Sequence, residues 1–179
     1  YVLYCFKIYR HVVKKICRKV SFKLKIYNMI TIEEFKKKHT YKVRLLGLDL
    51  GSKKIGVSIC DENQSIATPY KTLIKSTNNE LVNNLKEIIE ENNIKGIIIG
   101  NPINMDGSLG KSAQSVKDIS NNIAKLIDLP VCLWDERLST VGAFNLSSQL
   151  DVNISIRKRD IDKNAATFIL QGAIDYLNN

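Results

Sequence analysis

Short apolar runs and amphipathic stretches follow each other along the chain from residue 43 onward. The apolar runs predict five strands, at 43–50, 55–60, 65–74 (interrupted near Pro69), 96–100 and 131–134. Apolar residues at helical spacing predict four helices, at 79–92, 112–127, 138–150 and 162–177. This order predicts an α/β domain whose mixed five-stranded sheet has three antiparallel strands, then parallel strands joined by right-handed crossovers and flanked by helices.

The net charge of +9 belongs to one end of the chain. Residues 1–42 contain 12 Lys or Arg and two acidic residues, which gives a net charge of +10. Residues 43–179 contain 15 Lys or Arg and 16 acidic residues, which gives a net charge of −1. The division predicts a basic leader over 1–42 and a nearly neutral domain over 43–179. Overall basicity is therefore a weak argument for nucleic-acid binding by the domain itself.

The leader is open to two main interpretations. Scattered basic residues with no acid before Glu33 are typical of an organelle transit peptide, which would place the protein in a plastid or mitochondrion. Alternatively, Met29 is the true start, the upstream residues are not native, and the protein is cytoplasmic. A membrane-surface helix or a basic RNA-binding arm are lesser alternatives. The apolar runs are too short for a membrane span, so we expect no membrane partner.

Histidine and cysteine usage excludes several chemistries. Both histidines, His11 and His39, precede residue 43, so the domain cannot form a Ser-His-Asp triad or a histidine-ligated metal site. Cys60 and Cys132 lie in apolar surroundings without a CxxC motif, which predicts buried, reduced thiols. Catalysis by this domain must therefore use carboxylates, hydroxyls, lysines or a metal bound by oxygen.

Acidic residues occur at the ends of several predicted elements. Asp49 ends an apolar strand, Asp135 and Glu136 follow another, and Asp162 opens the last helix. Turn formation, a helix dipole or an ion pair with Arg137 could explain each of them singly. Carboxylates gathered without histidine suit hard cations such as Mg²⁺ or Mn²⁺, and two ions can together cleave a phosphodiester.

Four segments resemble the YqgF family of RNase H-like proteins, which are similar to Holliday-junction resolvases and linked to nucleolytic processing of pre-16S rRNA. They are LGLDLGSKKIGV at 46–57, GNPINMDGSLG at 100–110, WDERLST at 134–140 and DKNAATFILQ at 162–171. The segments come in the family's order and span nearly the whole domain. Lys54 stands where the family commonly has Arg, and Asn101 where it commonly has Leu.

The resemblance implies a site and a set of substrate contacts. Asp49, Glu136 and Asp162 correspond to the acidic triad that binds metal, and Asp135 would be a supporting neighbour, although either member of that pair could point inward. Glycines of the loop 101–110 could let backbone N–H groups approach a phosphate, or they could simply form a sharp turn. Candidate phosphate contacts are basic residues near these motifs: Lys53, Lys54, Lys111, Arg137, Arg157, Lys158 and Arg159.

The expected activity is that of a divalent-metal-dependent endonuclease acting on structured nucleic acid. A small-subunit rRNA precursor is the favoured substrate and branched DNA the close alternative, for which a homodimer would be suitable. Two other hypotheses remain. One is a non-catalytic rRNA-binding assembly factor, and the other is an actin-like ATPase module, because the residues from Asp49 to Ser52 resemble the first phosphate motif of that superfamily.

Overall fold

A computed structural model describes residues 29–38, 42–104, 106–108, 110–137 and 154–179, with side chains in the last range from Ala165 onward. Among these residues, no helix combines the length and the apolar character needed to cross a membrane. The strands are β1 (Met29–Ile30), β2 (Leu45–Leu50), β3 (Lys54–Cys60), β4 (Ala67–Ile74), β5 (Gly96–Asn101) and β6 (Val131–Asp135). The helices are α1 (Ile32–Lys38), α2 (Asn78–Glu91), α3 (Lys111–Leu126) and α4 (Ile154–Asn178).

The strands form one mixed sheet in the order β1-β6-β5-β2-β3-β4. Strands β1, β6, β5 and β2 are parallel, whereas β3 and β4 continue the sheet in antiparallel fashion. The predicted α/β class and strand directions are confirmed. The interruption near Pro69 is a register shift, in which Val57 pairs with Lys71 and Ser58 pairs with Pro69.

The predicted count of five strands is wrong, because the described residues form a sheet of six. The additional strand, Met29–Ile30, pairs with Val131 and Cys132 of β6 and lies within the range 1–42. Two residues are too few for alternation of apolar and polar positions to reveal a strand. Helix α1 follows it and buries Phe35 (1% exposed) against Gly96, where an added Cβ would lie 2.5 Å from the Phe35 ring.

Helices cover both faces of the sheet. Because successive strand residues point to opposite sides, each strand contributes side chains to two separate cores. Leu46 and Leu48 of β2 join the core beneath α2 and α3, whereas Leu45 joins the core beneath α1 and α4. Both described cysteines are free and buried, as predicted, and burial raises the pKa of the Cys132 thiol to about 12. The predicted helix over 138–150 lies outside the described residues.

Candidate active site

Three parallel strands end at the same edge of the sheet and bring the predicted acidic residues to it. Leu48 of β2 pairs with Ile99 of β5, and Gly100 of β5 pairs with Trp134 of β6. Asp49 near the end of β2 and Glu136 directly after β6 therefore lie on the two sides of the end of β5. In open α/β sheets, ligands bind at this edge.

Gly100 leaves room for the Glu136 carboxylate over the central strand. A Cβ atom built on Gly100 would lie 2.5 Å from Oε1 of Glu136 and would also collide with Ile169 of α4. An alanine here would therefore displace the carboxylate or the helix. Sequence reasoning did not identify Gly100 as part of the site, although a glycine ending an apolar strand is a signal of close approach.

Glu136 is half-buried, and its ionised form is disfavoured. Burial, reinforced by the negative charges of Asp49 and Asp135, raises the pKa of Glu136 from 4.5 to about 7. The Asp49 contribution indicates that the two carboxylates are close enough to repel each other. A cation between them would relieve this repulsion, so the pair fits a divalent metal ion bound by oxygen.

Asp135, the acid next to Glu136 in the chain, is held by Arg137. The Arg137 guanidinium donates to both Asp135 oxygens, from Nε at 3.0 Å to each and from one terminal nitrogen at 2.6 Å to Oδ2. The backbone N–H of Arg137 also donates to Oδ1 at 3.0 Å. These bonds lower the pKa of Asp135, opposite to the shift of Glu136. Of the two acids that the sequence left undecided, Glu136 is therefore the one directed toward Asp49.

Asp162 lies inside helix α4 and does not open it. The prediction that the helix begins there is wrong, because α4 starts at Ile154. Ala166 follows one turn later, and its carbonyl oxygen accepts a 2.8 Å hydrogen bond from Ser58 Oγ and lies beside Gly47. Gly47 precedes Asp49 by two residues on the same strand, so this turn of α4 lies toward the Asp49 end of the sheet.

The third carboxylate of the predicted triad is outside the described side chains, which begin in α4 at Ala165. Within the described side chains, no group of three or more His, Cys, Asp or Glu is placed to hold a metal ion. The structure thus brings Asp49 and Glu136 together and places the backbone of Asp162 in the helix that covers them. The ligand role of all three acids stays a prediction.

The predicted basic contacts occupy two sides of this edge. Lys53 and Lys54 are exposed in and after the turn that follows β2, and Lys111 is exposed at the start of α3. Residues 157–159 belong to α4, but their side chains lie outside the described ones. Sequence reasoning did not identify Lys75, whose N–H donates to the Lys53 carbonyl at 2.9 Å. The lysine follows β4 directly, and only the strand pairing shows its proximity.

The loop between β5 and α3 forms a sharp turn closed by its own polar groups. Asp106 accepts bonds from the Ser108 N–H (2.9 Å) and hydroxyl (2.6 Å), and these bonds lower its pKa. Gly107 has a φ of +82°, which favours glycine, and an added Cβ would lie 4.0 Å from the Arg137 guanidinium. The turn interpretation is confirmed, and backbone contact with a phosphate stays a prediction.

The raised pKa of Glu136 predicts a pH-dependent stability in the absence of divalent metal. Because the pKa in the folded state (about 7) exceeds the ordinary value of 4.5, the folded protein binds this proton more tightly than the unfolded chain. The resulting contribution to the free energy of unfolding is complete below pH 4.5 and is lost as the pH rises through about 7. Denaturant unfolding of the wild type and of Glu136→Gln, measured in EDTA across this range, checks it. An equally steep loss in the variant would contradict the assignment.

Comparison with known proteins adds to this geometry. A family model described as RuvX, Holliday junction resolvase, matches residues 43–176. A Pelagibacter ubique (strain HTCC1062) protein named "Putative pre-16S rRNA nuclease" is 74% identical over 151 residues, covering 84% of this chain and 100% of that protein. A Chelativorans sp. (strain BNC1) protein of the same name is 45% identical over 150 residues, covering 84% of this chain and 94% of its own.

Similarity also extends to a solved structure. RuvC of T. thermophilus in complex with a Holliday junction substrate superposes with a TM-score of 0.51 at 11% identity. The match covers 73% of this chain and 91% of RuvC. At this level of identity the likeness shows a shared fold, and the predicted RNase H-like fold is confirmed apart from its strand count.

Proposed function

The chain belongs to the RuvX (YqgF) family, and from this premise we propose that it is a divalent-metal-dependent endonuclease that cleaves phosphodiester bonds in structured nucleic acid. Its preferred substrate is the 5′ region of a small-subunit rRNA precursor. The observation that carries the proposal is the pair of facing carboxylates, Asp49 and Glu136, at the sheet edge where three parallel strands end. The 74% identity to the Pelagibacter ubique protein named "Putative pre-16S rRNA nuclease" supports the choice of RNA.

Asp49 and Glu136 would hold the metal, with Asp162 as the third acid and Mg²⁺ or Mn²⁺, as two ions, the expected occupants. A divalent ion in such a site supplies charge stabilisation for the phosphate and a water of lowered pKa. Because the two carboxylates repel a phosphate as well as each other, a bound cation would be needed to hold a substrate phosphate directly beside them. Glycine at position 100 keeps the space above β5 clear for the Glu136 carboxylate.

Arg137 and Asp135 would orient the substrate beside the metal. Nε and one terminal nitrogen of Arg137 donate to the Asp135 carboxylate. The second terminal nitrogen lies near Gly107 of the loop between β5 and α3. A guanidinium fixed in this way loses little side-chain entropy when it binds a phosphate. Asp135 therefore acts by positioning Arg137.

A panel of substrates of equal length tests the proposal. The purified full chain is incubated in Mg²⁺, Mn²⁺ or EDTA with a 5′-extended rRNA precursor fragment, a four-way DNA junction and an unstructured RNA. We expect cleavage of the precursor at a defined position, dependent on metal, and little cleavage of the unstructured RNA. Paired incision of the junction alone would favour a resolvase and the predicted homodimer, because symmetric incision needs two active sites. Binding without cleavage in either metal would favour the assembly factor.

A further inference from the structure

Three lysines converge beside the carboxylates through strand pairing. Lys54 begins β3 and pairs with Ile74 at the end of β4, and the Lys75 N–H donates to the Lys53 carbonyl at 2.9 Å. Lys53, Lys54 and Lys75, here called the lysine cluster, therefore lie together at the end of the β3–β4 pair. All three side chains are exposed.

The lysine cluster lies on the same edge of the sheet as the candidate active site. The turn from Gly51 to Lys53 joins the end of β2 to the start of β3, so Lys53 and Lys54 follow Asp49 within a few residues. Neighbouring strands are about 4.8 Å apart, which places the end of β4 roughly 10 Å from the end of β2 along the edge. A nucleic-acid strand that has one phosphate between Asp49 and Glu136 would reach the cluster with the next few phosphates on that side.

The charges of Lys53 and Lys75 are available for a ligand. Among the described residues, ion pairs join Arg44 to Glu62 and Arg137 to Asp135, and none involves Lys53 or Lys75. On the opposite side of the carboxylates, Arg137 and Lys111 flank the loop between β5 and α3. The acidic pair thus lies between two basic groups, as expected where a polyanionic backbone passes over a metal site.

We propose that the lysine cluster binds the phosphate backbone of the substrate on the β3–β4 side of the cleavage position, with Lys75 as a contact that no sequence motif marks. The proposal rests on the proposed function and specifies how that site orients its substrate. Contacts with phosphates carry no sequence information, so the cluster determines affinity and direction of the strand. The base sequence or the shape of the substrate would be recognised elsewhere.

Salt dependence of binding tests the lysine cluster without requiring cleavage. The double variant Lys53→Gln/Lys75→Gln is compared with Lys42→Gln/Lys95→Gln, whose lysines are exposed at the opposite edge of the sheet, before β2 and β5. The Lys95 N–H donates to the carbonyl of Arg44, two residues after Lys42, at 2.9 Å. Affinity for the precursor fragment is measured in EDTA over a range of salt concentrations.

Loss of two phosphate contacts should reduce the slope of log affinity against log salt by about 1.4 to 1.8 in the cluster variant, and leave it unchanged in the control. Neutral methylphosphonates on one side of the cleavage position should weaken binding by the wild type and not by the cluster variant. Equal slopes for the two double variants would overturn the proposal, even if the wild type cleaves RNA. A protein that binds through the cluster but never cleaves would instead contradict the proposed function alone.

Discussion

Asp49→Asn is expected to abolish metal-dependent cleavage while the protein folds and binds nucleic acid as before. Asparagine has nearly the same shape, but it lacks the charge that holds a cation beside Glu136. Metal-ion stabilisation of a phosphate is worth several kcal/mol, and about 1.4 kcal/mol corresponds to a factor of ten, so we expect a loss of about 10³-fold or more in the rate of the cleavage step. Single-turnover cleavage of the precursor fragment in Mg²⁺ measures the loss directly.

Two further variants make the result specific to the site. Glu136→Gln should lose activity comparably, whereas Asp118→Asn, the same chemical change on the exposed surface of α3, should leave the rate unchanged. Binding to the precursor in EDTA should be equal or tighter in Asp49→Asn, because a negative charge near the phosphates is removed. Full cleavage by a folded Asp49→Asn protein would rule out the carboxylate pair as the catalytic centre.

Much of the architecture follows from local sequence pattern. Strands β2 and β5 are continuous apolar runs because both faces of the central sheet are covered by helices, and such runs are recognisable without a structure. The acid at the end of β2 and those after β6 could be placed at one edge because parallel strands end together. The expectation that these acids meet at one edge depended only on topology, whereas their assignment as metal ligands came from the family resemblance.

The choice between Asp135 and Glu136 was beyond the reach of sequence reasoning. The predicted strand ended at Trp134, so the rule that adjacent residues face opposite sides was not extended to either acid, whereas in the structure β6 runs to Asp135. Tertiary contacts distinguish the two acids. The Arg137 guanidinium donates hydrogen bonds to Asp135, and Gly100 of another strand leaves space for the Glu136 carboxylate. Neither interaction has a sequence signature that precedes knowledge of the fold.

The start of α4 was misplaced for a related reason. The segment from Ile154 to Asp160 contains Arg157, Lys158 and Arg159 in succession and lacks the spaced apolar residues that predict an amphipathic helix. Among the described side chains of α4, which begin at Ala165, Ala166 is the first buried one, at the point where the helix covers β2 and β3. Hydrophobic periodicity thus located the helix from residue 162 onward and missed the turns before it.

Gly47→Ala is expected to cause the largest loss of stability among single methyl additions at this site. A Cβ at position 47 would collide with Ser58 Oγ and would lie 2.7 Å from the Leu170 Cβ and 3.0 Å from the Ala166 carbonyl oxygen. The last two atoms belong to α4, so the helix must move away from the sheet. Overpacking of this kind costs about 1–3 kcal/mol in the free energy of unfolding. Cleavage should also fall, because Asp162 lies one turn before Ala166 in the displaced helix.

Gly110→Ala provides the matched control for this prediction. At Gly110 the nearest atoms to an added Cβ belong to Asn104 at 3.5 Å, an ordinary contact, and φ is −73°, which alanine adopts freely. In urea unfolding, the free energy of unfolding of Gly47→Ala should therefore be lower than that of the wild type by at least about 1 kcal/mol, while that of Gly110→Ala remains close to the wild type.

Adding Ser58→Ala to Gly47→Ala removes one of the colliding atoms and, with it, the 2.8 Å bond to the Ala166 carbonyl. The combined loss should thus be smaller than the sum of the two single losses. If Gly47→Ala were as stable as Gly110→Ala, the close packing of α4 against β2 would be wrong, and with it the position of Asp162 relative to Asp49.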